Sequence, residues 1–251
     1  MKIAQIAVEL IDSMGDDLRV VNAARVSHDK ESTWERPVVS TKYIGDHPHC
    51  GKELYETTYG EPHLSAKDAK LIKYLVEHNH WTPFAHCFAS FCINVPIFVH
   101  RQLVKHLVGM TWGTECMPVM NEVSRRYVDE EPEFWFPKVW RSRPEGNIKQ
   151  GSGGEHPNSI EWDEDAQLHC ENALDMYLHM IEDGIAPELA RMILPINTMT
   201  QWYWSGSLAA WARVCNLRLD PHAQEETREV ADHIDRHMRG IFPVSWGELV
   251  K

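Results

Sequence analysis

The sequence predicts an α+β fold, a mainly antiparallel sheet with helices around it. Three observations carry this expectation. Several segments repeat apolar residues at helical spacing between capping or breaking residues. Residues 84–95 instead alternate large and small side chains and are rich in aromatics, the pattern of a strand. Finally, 43% hydrophobic and 10% aromatic residues in a chain of 251 suffice for a sizeable core. There is no internal repeat or low-complexity tract. The chain therefore reads as one domain over 1–251, with loop insertions near 33–62, 113–120 and 141–158.

In chain order, the opening MKIAQIAVELIDS has a single lysine followed by Glu9 and Asp12, and is not a secretory signal. Residues 33–62 hold Pro, Gly and His in the run IGDHPHCGKELYETTYGEP and read as loop. Ser65 with Asp68 three residues on resembles a helix-capping box, and Leu71, Ile72, Leu75 and Val76 continue it at helical spacing. The longest stretch without Asp, Glu, Lys or Arg, residues 78–100, carries four histidines, two asparagines and two prolines. It reads as buried core and not as a membrane span. Pro96 suits the first turn of a helix. The strongest turn-rich stretch is 141–158, RSRPEGNIKQGSGGEHPN. Residues 163–183 form a long helical pattern closed by Gly184, with Leu168, Met176, Leu178 and Ile181 among its apolar positions. Pro187 starts a further helix that meets Pro195, and residues 223–238 make another.

Charge narrows the partners. With 25 basic against 37 acidic residues the net charge is -12, which argues against a nucleic-acid binder needing a basic face. A small phosphorylated substrate remains compatible, because a few clustered cations can bind it within an acidic protein. The six cysteines form no C-x-x-C pair and are expected to be reduced, as in a cytoplasmic protein.

Several groups of residues could carry chemistry. Gln102, Lys105 and His106 stand at i, i+3 and i+4, so a helix would place them on one face able to hold a phosphate and a polar ring; a solvated helix face is the competing reading. Glu122, Ser124 and Arg126 alternate, so an extended chain would point all three one way, toward a nucleotide or into an exposed Glu–Arg pair. Arg191 lies among apolar neighbours in PELARMILP and Arg218 follows in CNLRLDPHAQ; each fits a ligand contact or a structural ion pair. His78-Asn79-His80 spells a nuclease motif without its flanking pattern. His47, His49 and Cys50 lack the partner pair of a zinc site, so no metal is expected. Cys116 and Ser124 have no activating base beside them in sequence.

In this order, the pieces resemble the flavin-dependent thymidylate synthase family over most of the chain. Its signature R-H-R-x-x-S-x-N-E-x-S-x-R-Y is matched in its second half by Asn121, Glu122, Ser124, Arg126 and Tyr127. Similar too are Ala24-Arg25-Val26-Ser27, His80-Trp81-Thr82-Pro83-Phe84, Ala190-Arg191 before Leu194-Pro195, and Asn216-Leu217-Arg218 followed by His222-Ala223-Gln224. The resemblance implies the fold of that family and the reductive methylation of dUMP to dTMP, with methylenetetrahydrofolate as carbon donor and FAD reduced by NADPH. It places Gln102, Lys105, Glu122, Ser124, Arg126, Arg191 and Arg218 around dUMP, with Arg218 favouring ionisation of the uracil, and Ser27, His80, Thr82, His106 and His222 on FAD. It also implies a homotetramer whose sites combine residues from several subunits. The chain departs from the pattern at Lys105 and Leu107, where Arg-His-Arg is usual, at Ala85, at Ser207, and in a segment nine residues longer between His106 and Asn121. A tolerated loop is the expectation for that segment. A degenerate nucleotide- or flavin-binding homologue and a metal-dependent nuclease are the alternatives.

Overall fold

The computed structural model describes residues 1–50, 52–112, 117–128, 130–146 and 151–251. Its strands are β1 Lys2–Ile3, β2 Ala7–Met14, β3 Val38–Asp46, β4 Glu53–Tyr59, β5 Phe88–Pro96, β6 Thr111–Trp112, β7 Met117–Pro118, β8 Met120–Glu122, β9 Glu133–Phe134 and β10 Met199–Ser207. The helices are α1 Asp17–Arg25, α2 Ala66–Glu77, α3 Ile97–Leu103, α4 Ser159–Glu182, α5 Pro187–Ala190, α6 Leu208–Arg218, α7 Glu225–Ile241 and α8 Pro243–Leu249. The α+β expectation holds. A four-stranded antiparallel sheet runs β2-β5-β10-β8, with Trp202 opposite Ile93 and Trp204 opposite Phe91.

Period-two alternation decides which face of this sheet becomes the core. Ala89, Phe91, Ile93 and Val95 of β5 and Trp202 and Trp204 of β10 are buried. Trp211 of α6 closes over them, its ring edge-on to Phe91 and Trp204, and its indole N–H donates to the Ala89 carbonyl at 3.0 Å. Val230, Ile234 and Met238 of α7 and Trp246 of α8 complete the cluster. Asp17, at the start of α1, is buried and takes the backbone N–H groups of Val244 and Ser245, both at 2.8 Å. It thereby caps α8 from across the chain, accepting from N–H groups that have no partner within α8. A second small core, of Phe134, Cys170, Leu174, Tyr177 and Ala190, lies under α4.

Several expectations need adjusting. The strand read at 84–95 begins later, at Phe88, because Pro83 opens a 3-10 turn over Thr82–His86. The segment 33–62, loop-like in sequence, carries the β3–β4 hairpin, whose residues are mostly exposed on both faces. The helical pattern at 163–183 starts earlier, at Ser159. It buries Cys170, Leu174 and Tyr177, while Leu168 and Met176 are exposed. The helix of 223–238 runs instead over Glu225–Ile241. Ser65 does cap α2, accepting from Asp68 N–H at 3.1 Å. Within 113–120, residues 113–116 lie outside the described residues, as do 147–150 of 141–158. Met117–Pro118 pairs with Thr111–Trp112, and Met120 belongs to β8.

Candidate active site

Three cations, Lys105, Arg213 and Arg218, meet where the chain leaves α3. The helix ends at Leu103, so Lys105 and His106 fall in the following turn and do not share a helical face with Gln102, as the spacing had predicted. Gly109, at φ +74°, lets this turn lie against the start of α6: a Cβ there would come within 2.9 Å of Ala210 Cβ and 3.0 Å of Ser207 Oγ. The approach brings His106 to Arg218, the last residue of α6, whose Nε–H donates to His106 Nε2 at 2.8 Å. Lys105, Leu107, Arg213 and Leu217 share the surrounding cleft, a cavity of about 220 Å³. Burial pushes His106 down to about 4, and the Arg218 and Arg213 guanidiniums add to the shift. The imidazole is therefore neutral, an acceptor at Nε2 and a donor at Nδ1. A neutral acceptor among three cations suits an anionic or electron-rich ligand. Arg213 was not singled out in the sequence, because only the fold of residues 105–108 over α6 brings it to the cleft.

Glu122 ends β8 opposite Trp202. Its Oε1 accepts from the Thr200 hydroxyl at 2.7 Å and lies 3.7 Å from His100 Nδ1. Burial lowers the His100 pKa, against the opposing pull of Glu122 and together with Arg101. His100 Nε2 is buried without a partner among the described residues. Neither His100 nor Thr200 had a sequence signal beyond its place in an apolar run.

The chain then turns. Tyr127 N–H bonds to Ser124 O at 3.0 Å, so Glu122, Ser124 and Arg126 are not one extended edge. Arg126 curls back, with its Nε–H on Ser124 Oγ at 2.9 Å and its guanidinium over the Tyr127 ring at 4.9 Å. Arg191 follows α5 in a 3-10 turn and is exposed; among the described residues its side chain bonds only its own turn, the Nε–H donating to Glu188 O at 3.2 Å. The apolar neighbours in its sequence do not bury it.

Gln102 donates to the Gln224 carbonyl and accepts from the Thr227 hydroxyl at 3.3 Å. Gln224 and Glu226 also help line a second, larger cleft, about 450 Å³, whose apolar wall includes Phe98, Trp135 and Trp140.

Residues read as flavin contacts are spread over separate surfaces. Ser27 is exposed in the 3-10 turn Val26–His28, and Thr82 is exposed in the 3-10 turn against which α1 packs. His80 stands edge-on to Tyr74 with its ring centroid 5.9 Å away, and His222 bonds Asp220 at 3.0 Å. One chain thus gathers Lys105, His106 and Arg218, and separately Gln102 with Gln224. It does not gather Ser27, His80, Thr82, Arg126, Arg191 and His222 into that cleft. Among the described residues no cluster of metal-ligating side chains exists: His78 stacks on Tyr74, and His47 and His49 meet edge-on in the hairpin. Cys116 lies outside the described residues, and no helix among them is long and apolar enough to cross a membrane.

A family model described as thymidylate synthase complementing protein matches residues 9–244. Proteins called flavin-dependent thymidylate synthase are similar along nearly the whole chain. That of Thermosipho africanus is 30% identical, covering 97% of this chain and 90% of its own. That of Thermus thermophilus is 32% identical, covering 95% and 73%. Among solved structures, the UMP/dUMP methylase PolB of Streptomyces cacaoi, bound with 5-Br dUMP, is similar with a TM-score of 0.75 and 26% identity, over 99% of this chain and 96% of its own. The same methylase bound with 5-Br UMP matches equally, over 98% and 95%.

Proposed function

The chain belongs to the thymidylate synthase complementing protein family, the flavin-dependent thymidylate synthases, and we propose that its reaction is the reductive methylation of dUMP to dTMP. Methylenetetrahydrofolate is the carbon donor and FAD, reduced by NADPH, the hydride carrier. The observation that carries this reading is the basic cleft in which Arg218 donates to His106, with Lys105 and Arg213 beside them. Uracil C5 is a poor nucleophile until negative charge on the ring is stabilised, and preorganised cations lower that barrier. Arg218 is the catalytic residue of this reading. Its Nε is anchored on a histidine held neutral, so the anchor adds no charge of its own. Lys105, Arg126 and Arg191 supply charge for the phosphate, while Gln102, Glu122 and Ser124 offer hydrogen bonds to base and sugar.

The donor set fits a flavin. Hydroxyls of Ser27 and Thr82 and imidazoles of His80, His106 and His222 match a ring and side chain rich in carbonyl, nitrogen and hydroxyl groups. These residues would hold FAD, and the chemistry it supplies when bound is carriage of a hydride to the carbon joined to C5. A homotetramer with shared sites accounts for their spread. Arg191 is exposed beside Leu189 at 54% and Met192 at 75%, an apolar surround that favours covering by another subunit. A cytoplasmic setting accords with the free thiols of Cys50, Cys87, Cys92, Cys170 and Cys215.

Anaerobic incubation with NADPH, methylenetetrahydrofolate and dUMP tests the reaction, with UMP in a parallel arm. We expect dTMP; none under conditions that reduce the flavin overturns the proposal. Leu107, an uncharged residue in the cleft wall, motivates the second reading, a nucleotide- and flavin-binding homologue without turnover. That protein would be yellow and bind dUMP, yet make no dTMP.

A further inference from the structure

A line of hydrogen bonds leads from Gln102 along the wall of the 450 Å³ cleft to the ion pair of Glu226 with Arg141. Gln102 Nε2 donates to Gln224 Oε1, Gln224 Nε2 donates to Glu226 Oε2 at 2.9 Å, and Glu226 Oε1 takes Arg141 Nη2 at 2.5 Å. Arg141 is held in turn by Ser152 Oγ at 2.7 Å and Glu225 at 3.1 Å. Glu226 is only 3% exposed and Thr227 is fully buried. The order of donors in this line is forced. A guanidinium only donates and a carboxylate only accepts, so Gln224 must turn its NH₂ toward Glu226. Its carbonyl then faces Gln102, which must answer with NH₂, leaving the Gln102 carbonyl for the Thr227 hydroxyl. We propose that Arg141 and Glu226 are positioning residues that fix which end of the Gln102 amide donates and which accepts, and so set the affinity of the site for dUMP. The inference rests on the reading of Gln102 as a substrate contact. An amide of undetermined orientation is isosteric in its two states, so packing alone does not choose between them. The charge at Glu226 does. The ion pair thereby couples Arg141 and Ser152 to the nucleotide site through two glutamines, with no contact between Arg141 and the ligand required.

The test compares two changes that a packing role ranks one way and a polarity role the other. Glu226→Gln keeps the shape but presents donors as well as acceptors, so both glutamines are free to flip. Glu226→Asp shortens the side chain but remains acceptor-only. On FAD-loaded protein, we expect Glu226→Gln to raise the dUMP Kd by calorimetry, and KM with it, about 10-fold, with kcat within about threefold. Glu226→Asp should stay within about threefold on both. Gln224→Met, which cuts the line but leaves the Arg141–Glu226 Oε1 contact in place, should raise Kd as Glu226→Gln does and serves if the latter fails to fold. The opposite ranking, with Asp the weaker binder, overturns the proposal. So does an equal effect of Glu226→Gln in a Gln102→Ala background, where nothing is left to orient. If Gln102→Ala alone leaves dUMP affinity unchanged, the substrate role of Gln102 falls, and the proposed relay with it.

Discussion

At the residue scale, His106 joins charge to chemistry. Its ordinary value of 6.5 falls to about 4 in the fold, so the unfolded chain binds the extra proton more readily between those values. The stability tied to neutral His106 is fully present above about pH 6.5 and is lost as pH falls toward 4. For a part-buried ring this amounts to about 1–2 kcal/mol after screening. His106→Asn should therefore flatten the melting temperature against pH over that window, and an unchanged slope would refute the assignment. Arg218→Ala should cut turnover about 100-fold or more while FAD stays bound, measured by dTMP formation and flavin absorbance on the same sample. Full activity would remove Arg218 from the chemistry. Asp68 shows the opposite balance: burial raises its pKa, but hydrogen bonds from Arg25, Ser65 and Ser32 outweigh it and hold the carboxyl below its usual value.

Elements were legible where the cause is local. Ser65 and Asp68 announce α2 because a cap spans only four residues, and Gly184, at φ +84°, marks the end of α4. The β3–β4 hairpin was hidden because its strands are exposed on both faces and carry no alternation. Leu168 and Met176 fit a helical period, yet lie outside the core that Cys170, Leu174 and Tyr177 build. The site divides the same way. Gln102, Lys105 and Arg218 stand in recognisable strings, whereas Arg213, His100, Thr200 and the Arg141–Glu226 pair meet their partners only through tertiary approach. The cap on α8 belongs here as well. Asp17→Ala leaves the N–H groups of Val244 and Ser245 without their acceptor, at a cost of about 2–4 kcal/mol. Urea unfolding should show the midpoint fall accordingly; a midpoint that stays put would deny Asp17 this role.

For the whole molecule, the unpaired surfaces matter most. Leu189, Met192 and Ile196 leave large apolar areas exposed near Arg191, and Tyr203 does so on the outer face of the sheet. Light scattering should give a mass near four times 29.0 kDa, and a mass of one chain would sink the tetramer. If sites are shared, co-expressed Arg191→Ala and Arg218→Ala chains should recover part of the activity that each lacks alone. No recovery from assembled mixtures would place both arginines in one protomer's site. The clasp between Asp17 and residues 244–245 also ties the first helix to the last, across sequence separations of 227 and 228 residues. A chain cut before Val244 would leave the Asp17 carboxylate without these two donors and should unfold at a lower urea concentration than the full chain.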